Sequence, residues 1–512
     1  MAGTSLPAAR QAAPRPSPSG STAPAHPLSG GSGFLLAITA VMAIAGFLYG
    51  YDTGIISGAL LQITDEFALD HRLQEVVTAS ILVGAVLGAF ATGWLSERLG
   101  RRWTVMIVAA VFCLGALWSS LAGSATQLAL ARVFLGLAVG GSSQVVPVYI
   151  AELAPAAQRG RLVITFNLAI GAGILLANVV GVALHELWSW RSMIAVAILP
   201  AALLLAAMLR LPESPRWLVE RDRVEEAARA LSSVRVDDGT VTQELRAIRE
   251  VARQERRDAA AGWRTLAQPW LRPALVAALG VAAFTQLSGL EMMIYYTPTI
   301  LAGAGFSQGV ALWSSLSLAA MYVVMTFLGR LVVDRIGRRG LMLVMIPGTV
   351  VSLAVLGALF RAGLANDANA WLVVGALLVF MLFNAGGIQV VGWLLGSEMF
   401  PLSIRGKASS LHAATLWGSN LVVTATALTL VHYAGVSGMM WTYAALNLVS
   451  FVFVLRCVPE TAGRSLEEIE TSLREGRFLP WRPGRHVAPS WGRAGSGLAE
   501  VACGRVVAAE KG

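Results

Sequence analysis

Stretches of about twenty apolar residues, each long enough to cross a hydrocarbon core about 30 Å thick, recur along this chain at short intervals. They begin near Phe34, Val76, Trp103, Leu128, Leu162 and Met193, and again near Leu275, Val310, Leu341, Trp371, Ala408 and Met439. With 56% of its 512 residues hydrophobic and only 13% charged, the chain is too apolar for a soluble domain of this size. The pattern predicts an all-α membrane protein of about twelve transmembrane helices in two pseudo-symmetric six-helix bundles, with the lipid bilayer as its surroundings.

The net charge of +9 is scattered over the loops instead of gathered on one soluble face, so no nucleic-acid partner is expected. Cys113, Cys457 and Cys503 have neither paired nor metal-ligand spacing, and the six histidines are dispersed. No Gly-rich loop ends in Lys and Ser or Thr. These features predict no metal, no cofactor, no catalytic residue and no enzyme activity.

Orientation follows from the arginines. Arg98, Arg101 and Arg102 follow the second span, Arg159 and Arg161 the fourth, Arg335, Arg338 and Arg339 the eighth, and Arg405 and Lys407 the tenth. If the helices alternate, these loops share one side, and the other side carries little beyond Arg72, Arg191 and Arg361. The positive-inside rule makes the basic side cytoplasmic, with both termini there, in a multi-pass protein of the cell membrane.

Composition divides the chain further. Residues 1–32, rich in Ala, Pro, Ser and Gly, read as a disordered cytoplasmic tail, residues 33–211 as the first bundle and 271–458 as the second. Between the bundles, residues 212–270 mix charges at helical spacing and read as a cytoplasmic linker with short helices. Residues 459–512 form a cytoplasmic C-tail. The bundles share a motif: GWLSERLGRR (Gly93 to Arg102) and GRLVVDRIGRR (Gly329 to Arg339) occupy equivalent places, which points to duplication. In each copy a glycine, Gly100 or Gly337, permits a tight reversal, and Glu97 or Asp334 has guanidinium groups nearby. The repetition favours a charge latch over a mere topology signal.

Together with PVYIAELAPAAQRGRL (Pro147 to Leu162), PESPRWL (Pro212 to Leu218), GSEMFPLSIRGKA (Gly396 to Ala408) and PETAGRSLEEIE (Pro459 to Glu470), these loops carry a resemblance. Over roughly residues 34–470 the chain is similar to the sugar porter family of the major facilitator superfamily. The resemblance implies a cytoplasmic gate network that stabilises an outward-open state, with Glu152, Glu213, Glu398, Arg98, Arg159, Arg335 and Arg405 in it. Glu97, Arg102, Asp334 and Arg339 of the paired loops complete the candidate gate. Ala462 stands where the family pattern has Lys.

Within GFLYGYDTGIISG (Gly46 to Gly58), glycines recur every four residues and make a smooth stripe for another backbone, while Asp52 lies about 200° from Gly50. A carboxylate facing lipid is costly, so Asp52 is expected to face a cavity or a partner charge. The candidate partner is Arg132, with Gly136 and Gly140 on its face. One reading is a static buried pair. The other is a proton switch, because desolvation disfavours a charged carboxyl and a nearby guanidinium favours it. Proton-coupled members of the resembling family have an aspartate and an arginine at matching positions, which implies symport.

Polyhydroxylated ligands need amide and carboxyl groups for their hydroxyls and aromatic faces for their C–H surface. Asn167, Gln286, Glu291, Tyr295, Trp393 and Trp417 are the candidates. Against the family pattern, Thr285 replaces a Gln, Glu291 an Asn, Asn167 a Gln, and Leu416 an amide. The expected function is import of a monosaccharide or cyclic polyol, with protons, by a monomeric carrier using alternating access. The alternatives are a facilitative sugar uniporter and a nontransporting sugar sensor.

Overall fold

The computed structural model describes residues 31–154, 159–233, 238–258, 266–400, 404–464 and 466–478; the two terminal tails read from composition lie largely outside the described residues. Every regular element among these residues is helical. The first half comprises α1 (Gly31–Phe67), α2 (His71–Leu99), α3 (Arg101–Ser120), α4 (Ala125–Leu153), α5 (Arg159–Leu184) and the broken pair α6 (Trp190–Ala195) and α7 (Ile198–Met208). Two short helices follow, α8 (Pro215–Glu220) and α9 (Val224–Ser232), and a longer one, α10 (Asp238–Asp258). The second half comprises α11 (Arg272–Leu287), α12 (Leu290–Gly303), α13 (Gln308–Ile336), α14 (Arg338–Arg361), α15 (Ala370–Gly386), α16 (Ile388–Glu398) and α17 (Arg405–Cys457), followed by α18 (Leu466–Arg474).

Eleven helical stretches among the described residues are long and apolar enough to cross a membrane. The last, Lys407–Cys457, is 51 residues long. One crossing takes about 20 residues. Gly435, at φ 70°, breaks α17 near its middle, so the stretch supplies two crossings and the total is twelve. Two other spans are interrupted where the chain nears the centre of the molecule. Gly289 (φ 90°) separates α11 from α12, and the Ser288 carbonyl released there accepts from Asn447 Nδ2 at 3.0 Å. Gly387 separates α15 from α16. Backbone irregularity at this depth survives only where buried partners satisfy it.

Small residues decide which helices touch. Gly46, Gly50 and Gly54 press against the α5 backbone at Phe166, Ile170 and Ile174. Gly136 and Gly140 of α4 do the same against Ile81 and Ala85 of α2, and Gly84 and Gly88 return the contact against Val133 and Leu137. The chain turns sharply at Gly100 (φ 100°) and Gly337 (φ 87°), where a Cβ would collide with the carboxyl groups of Glu213 and Glu460 respectively. Large apolar side chains such as Trp94, Leu117, Phe327 and Val351 are exposed on the outer faces, as a lipid-facing surface requires.

Candidate functional site

Arg132 continues the register set by Gly136 and Gly140. Four residues before Gly136, its Nε–H donates to Val77 O at 3.0 Å, and Val77 lies four residues before Ile81 on α2. The guanidinium is thereby fixed between α2 and α4 and turned towards α1. Its Nη1 lies 3.9 Å from Asp52 Oδ1, with the side chains only 1% and 5% exposed. That distance is charge contact without a hydrogen bond, and both terminal nitrogens of Arg132 lack hydrogen-bond partners among the described residues. The structure thus brings together the two residues that the α1 sequence pattern paired, and holds them loosely.

A cavity lies between the halves next to this pair. Its walls are Tyr49 and Thr53 of α1, Asn167, Ile170 and Ile174 of α5, and Glu291 and Ile294 of α12. Tyr322, Thr326 and Arg330 of α13 and Gln389, Val390 and Trp393 of α16 complete it. Asn167, Glu291 and Trp393 of the candidate set therefore line the cavity. Gln286, Tyr295 and Trp417 do not; all three are buried, and the Trp417 ring packs on Tyr49 with centroids 5.5 Å apart. Helix position explains the difference: α12 begins after the break at Gly289, so Glu291 in its first turn faces the cavity while Gln286 belongs to α11.

Tyr322, Thr326 and Arg330 were not among the candidates, yet they recur at four-residue intervals on one face of α13. That polar stripe is a sequence signal. Arg330 Nε and Gln389 Oε1 are buried without hydrogen-bond partners, and the Glu291 carboxylate forms no hydrogen bond among the described residues. A polyhydroxylated ligand supplies both donors and acceptors and would satisfy all three groups.

The gate candidates are rearranged relative to expectation. In the first half the carboxylate-binding guanidinium is that of Arg101, with Nε 3.1 Å from Glu152 Oε2. Ser214 Oγ donates to Glu152 as well, and Glu213 Oε1 accepts from the backbone N–H of Arg101 (2.8 Å), Arg102 (3.0 Å) and Ser214 (2.8 Å). The second half repeats this. Arg338 holds Glu398 through two hydrogen bonds of 2.7 and 3.0 Å and Asp334 through a third of 2.7 Å. Thr461 Oγ1 donates to Glu398, and Glu460 accepts from the N–H groups of Arg338, Arg339, Gly340, Thr461 and Ala462. Position 462 thus contributes an amide that any non-proline residue would supply.

Arg98 and Arg335 are exposed, and Arg98 stacks on Trp94 with its guanidinium carbon 4.2 Å from the ring centroid. The reason is geometric: Arg98 and Arg335 precede the glycine turns on outer helix faces, whereas Arg101 and Arg338 follow them and point inward. Glu97 is exposed too, and contributes its carbonyl, to Trp217 Nε1 and Arg221 Nη2. Arg102 and Arg339 donate to the carbonyls of Met208, Leu209 and Leu455. The side chains of Arg159 and Arg405 lie outside the described residues.

A family model described as "Sugar (and other) transporter" matches residues 38–473. The glucose transporter GlcP of Staphylococcus epidermidis is 36% identical over 85% of this chain and 96% of its own length. The major myo-inositol transporter of Bacillus subtilis and the arabinose-proton symporter of Escherichia coli are each 35% identical, over 86% of this chain and 94% of their own. Among solved structures, the partially occluded inward-open xylose transporter XylE of E. coli superposes with a TM-score of 0.74 at 27% identity, covering 85% of this chain and 100% of that one. XylE bound to 6-bromo-6-deoxy-D-glucose gives 0.71 at 29%, covering 86% and 99%. With its two six-helix halves, its central cavity and a family match along most of its length, the chain belongs to the sugar transporter family of the major facilitator fold and is a multi-pass membrane transporter, not an enzyme.

Proposed function

We propose that this transporter imports a monosaccharide or cyclic polyol by alternating access, with a proton moving the same way through Asp52. The carrying observation is the cavity between the halves, where the Glu291 carboxyl and the Arg330 and Gln389 groups, with Arg330 Nε and Gln389 Oε1 unpartnered among the described residues, share the wall with the aromatic rings of Tyr49, Tyr322 and Trp393. The cavity is complete within one copy, which supports a monomeric carrier. Relatives named for glucose, myo-inositol and arabinose support the substrate class, and the replacements at Asn167, Thr285 and Glu291 leave hexose, pentose and inositol within it. By charge distribution the arginine-rich end is cytoplasmic and both tails lie there, in the cell membrane.

Proton coupling draws support from the loose Asp52–Arg132 pair. A pair in charge contact without a hydrogen bond opens or closes with a small helix shift, and each position favours a different protonation state of the carboxyl. One charge crossing about 100 mV releases about 2.3 kcal/mol, and each 1.4 kcal/mol is tenfold, so one proton supports about fiftyfold accumulation. Uptake of labelled glucose, xylose, arabinose and myo-inositol into proteoliposomes with an imposed pH gradient tests the reading. The wild type concentrates a substrate of this panel, whereas Asp52→Asn retains counterflow but loses the gradient-driven accumulation. An Asp52→Asn carrier that still concentrates sugar in response to pH removes Asp52 from coupling, and pH-indifferent equilibration by the wild type makes it a uniporter.

A further inference from the structure

The two halves are joined at the end opposite the arginine-rich loops by a carboxylate that the substrate cavity and the proton pair do not use. Glu75, in the first turns of α2, is 4% exposed. Both of its oxygens bind one residue of the other half: Thr429 N donates to Oε1 at 2.6 Å and Thr429 Oγ1 donates to Oε2 at 2.6 Å. Thr429 lies six residues before Gly435, where α17 is broken. A helix-interior amide is ordinarily committed to its own helix, so a charge-assisted donation from Thr429 N to α2 marks a built contact. Beside it the exposed rings of His71 and His432 meet across the same seam, centroids 5.7 Å apart. The ion pairs described at the arginine-rich end, by contrast, each close within one half.

We propose that Glu75 is the outer latch of the transport cycle: its carboxylate holds α2 to α17 while the cavity is shut on that side, and it releases Thr429 when that side opens. This rests on the alternating-access reading above. A carboxylate suits the task better than an amide or an apolar residue. Its hydrogen bonds to Thr429 are stronger than neutral ones, yet its burial is penalised. Opening the seam returns the charge to water, which offsets part of the lost bonds and keeps the latch reversible. An apolar contact of the same size would gain nothing from rehydration.

The test uses the full-length carrier in lipid nanodiscs, with Cys113, Cys457 and Cys503 replaced by serine. Spin labels go on cysteines introduced at Leu187 and Trp371, which are 78% and 71% exposed and lie on different halves at the latched end. Pulsed electron resonance then reads the separation of the halves. Glu75→Leu is expected to raise the ratio of long to short distances about tenfold, because the Thr429 N–H and hydroxyl lose their acceptor while the seam is shut. Thr429→Val, which keeps the N–H, gives a smaller rise and adds nothing in the Glu75→Leu background. If Glu75→Leu does not fold, Glu75→Gln, which retains one acceptor oxygen, is expected to shift the ratio in the same direction as Thr429→Val. Unchanged distances in the variants, or equal lengthening by Thr429→Val with and without Glu75, overturn the latch. Failure of the transport reading shows separately, as absence of sugar uptake by the wild type whatever the distances do.

Discussion

Glu291 brings a carboxyl group, acceptor-only when ionised, into the cavity wall. On the proposed reading, a carboxylate there would hold substrate hydroxyls that donate to it and would gain nothing from a ring oxygen. A site built around one such bond rejects an analogue lacking the hydroxyl, because the buried acceptor is left unpaired. Counterflow competition with a series of monodeoxy sugars is therefore expected to show one position at which the wild type discriminates by about tenfold or more. Glu291→Gln, which can donate and accept, should lower that ratio, and Glu291→Asn should move the profile further towards ordinary hexose carriers. Superimposable profiles for all three proteins would place Glu291 outside the substrate contact. This residue was legible because it breaks a family pattern. Arg330 was not: it sits within GRLVVDRIGRR, where the surrounding arginines read as parts of a charge latch, and only the α13 face it shares with Tyr322 and Thr326 reveals its direction.

The glycine turns between α2 and α3 and between α13 and α14 were legible at the level of elements, since Gly100 and Gly337 sit where a tight reversal was needed. Which arginine enters the latch was not, because one or two positions beside a turn change the face completely. Glu213 shows how such a charge cluster responds to pH. Burial holds its carboxyl above the ordinary glutamate value of 4.5, against the pull of three backbone N–H groups. A glutamate raised in the folded state contributes stability that is fully present below 4.5 and is lost as pH rises through the folded-state value. Glu213→Gln lacks that term. The melting-temperature difference, wild type minus Glu213→Gln, is therefore expected to fall as pH is taken from about 4 to 7. A difference that rises over this range would mean that the backbone N–H groups, not burial, dominate at Glu213.

Across the whole molecule, hydropathy made the twelve crossings readable, and the paired loop motifs made the duplication readable. The structure extends that duplication to groups the motif comparison had not aligned. Arg101, Glu152, Ser214 and Glu213 correspond one for one to Arg338, Glu398, Thr461 and Glu460. What the sequence hides is the seam between halves, because Glu75 and Thr429 are 354 positions apart and neither matches a local pattern. Since each charge cluster closes within its own half, the halves should behave as separately braced bodies at the arginine-rich end. Arg101→Ala removes one partner of a pair only 10% exposed on each side and is expected to destabilise by about 3–5 kcal/mol. Arg338→Ala, whose partner Glu398 is 26% exposed, should have a smaller effect of about 2 kcal/mol. With no shared partner, the double variant should equal the sum to within about 0.5 kcal/mol, and Arg98→Ala should stay within about 0.5 kcal/mol of the wild type. Urea unfolding followed by tryptophan fluorescence measures all four. A coupling well beyond that margin would mean that the arginine clusters of the two halves act on each other, and the picture of independently braced bodies would have to be abandoned.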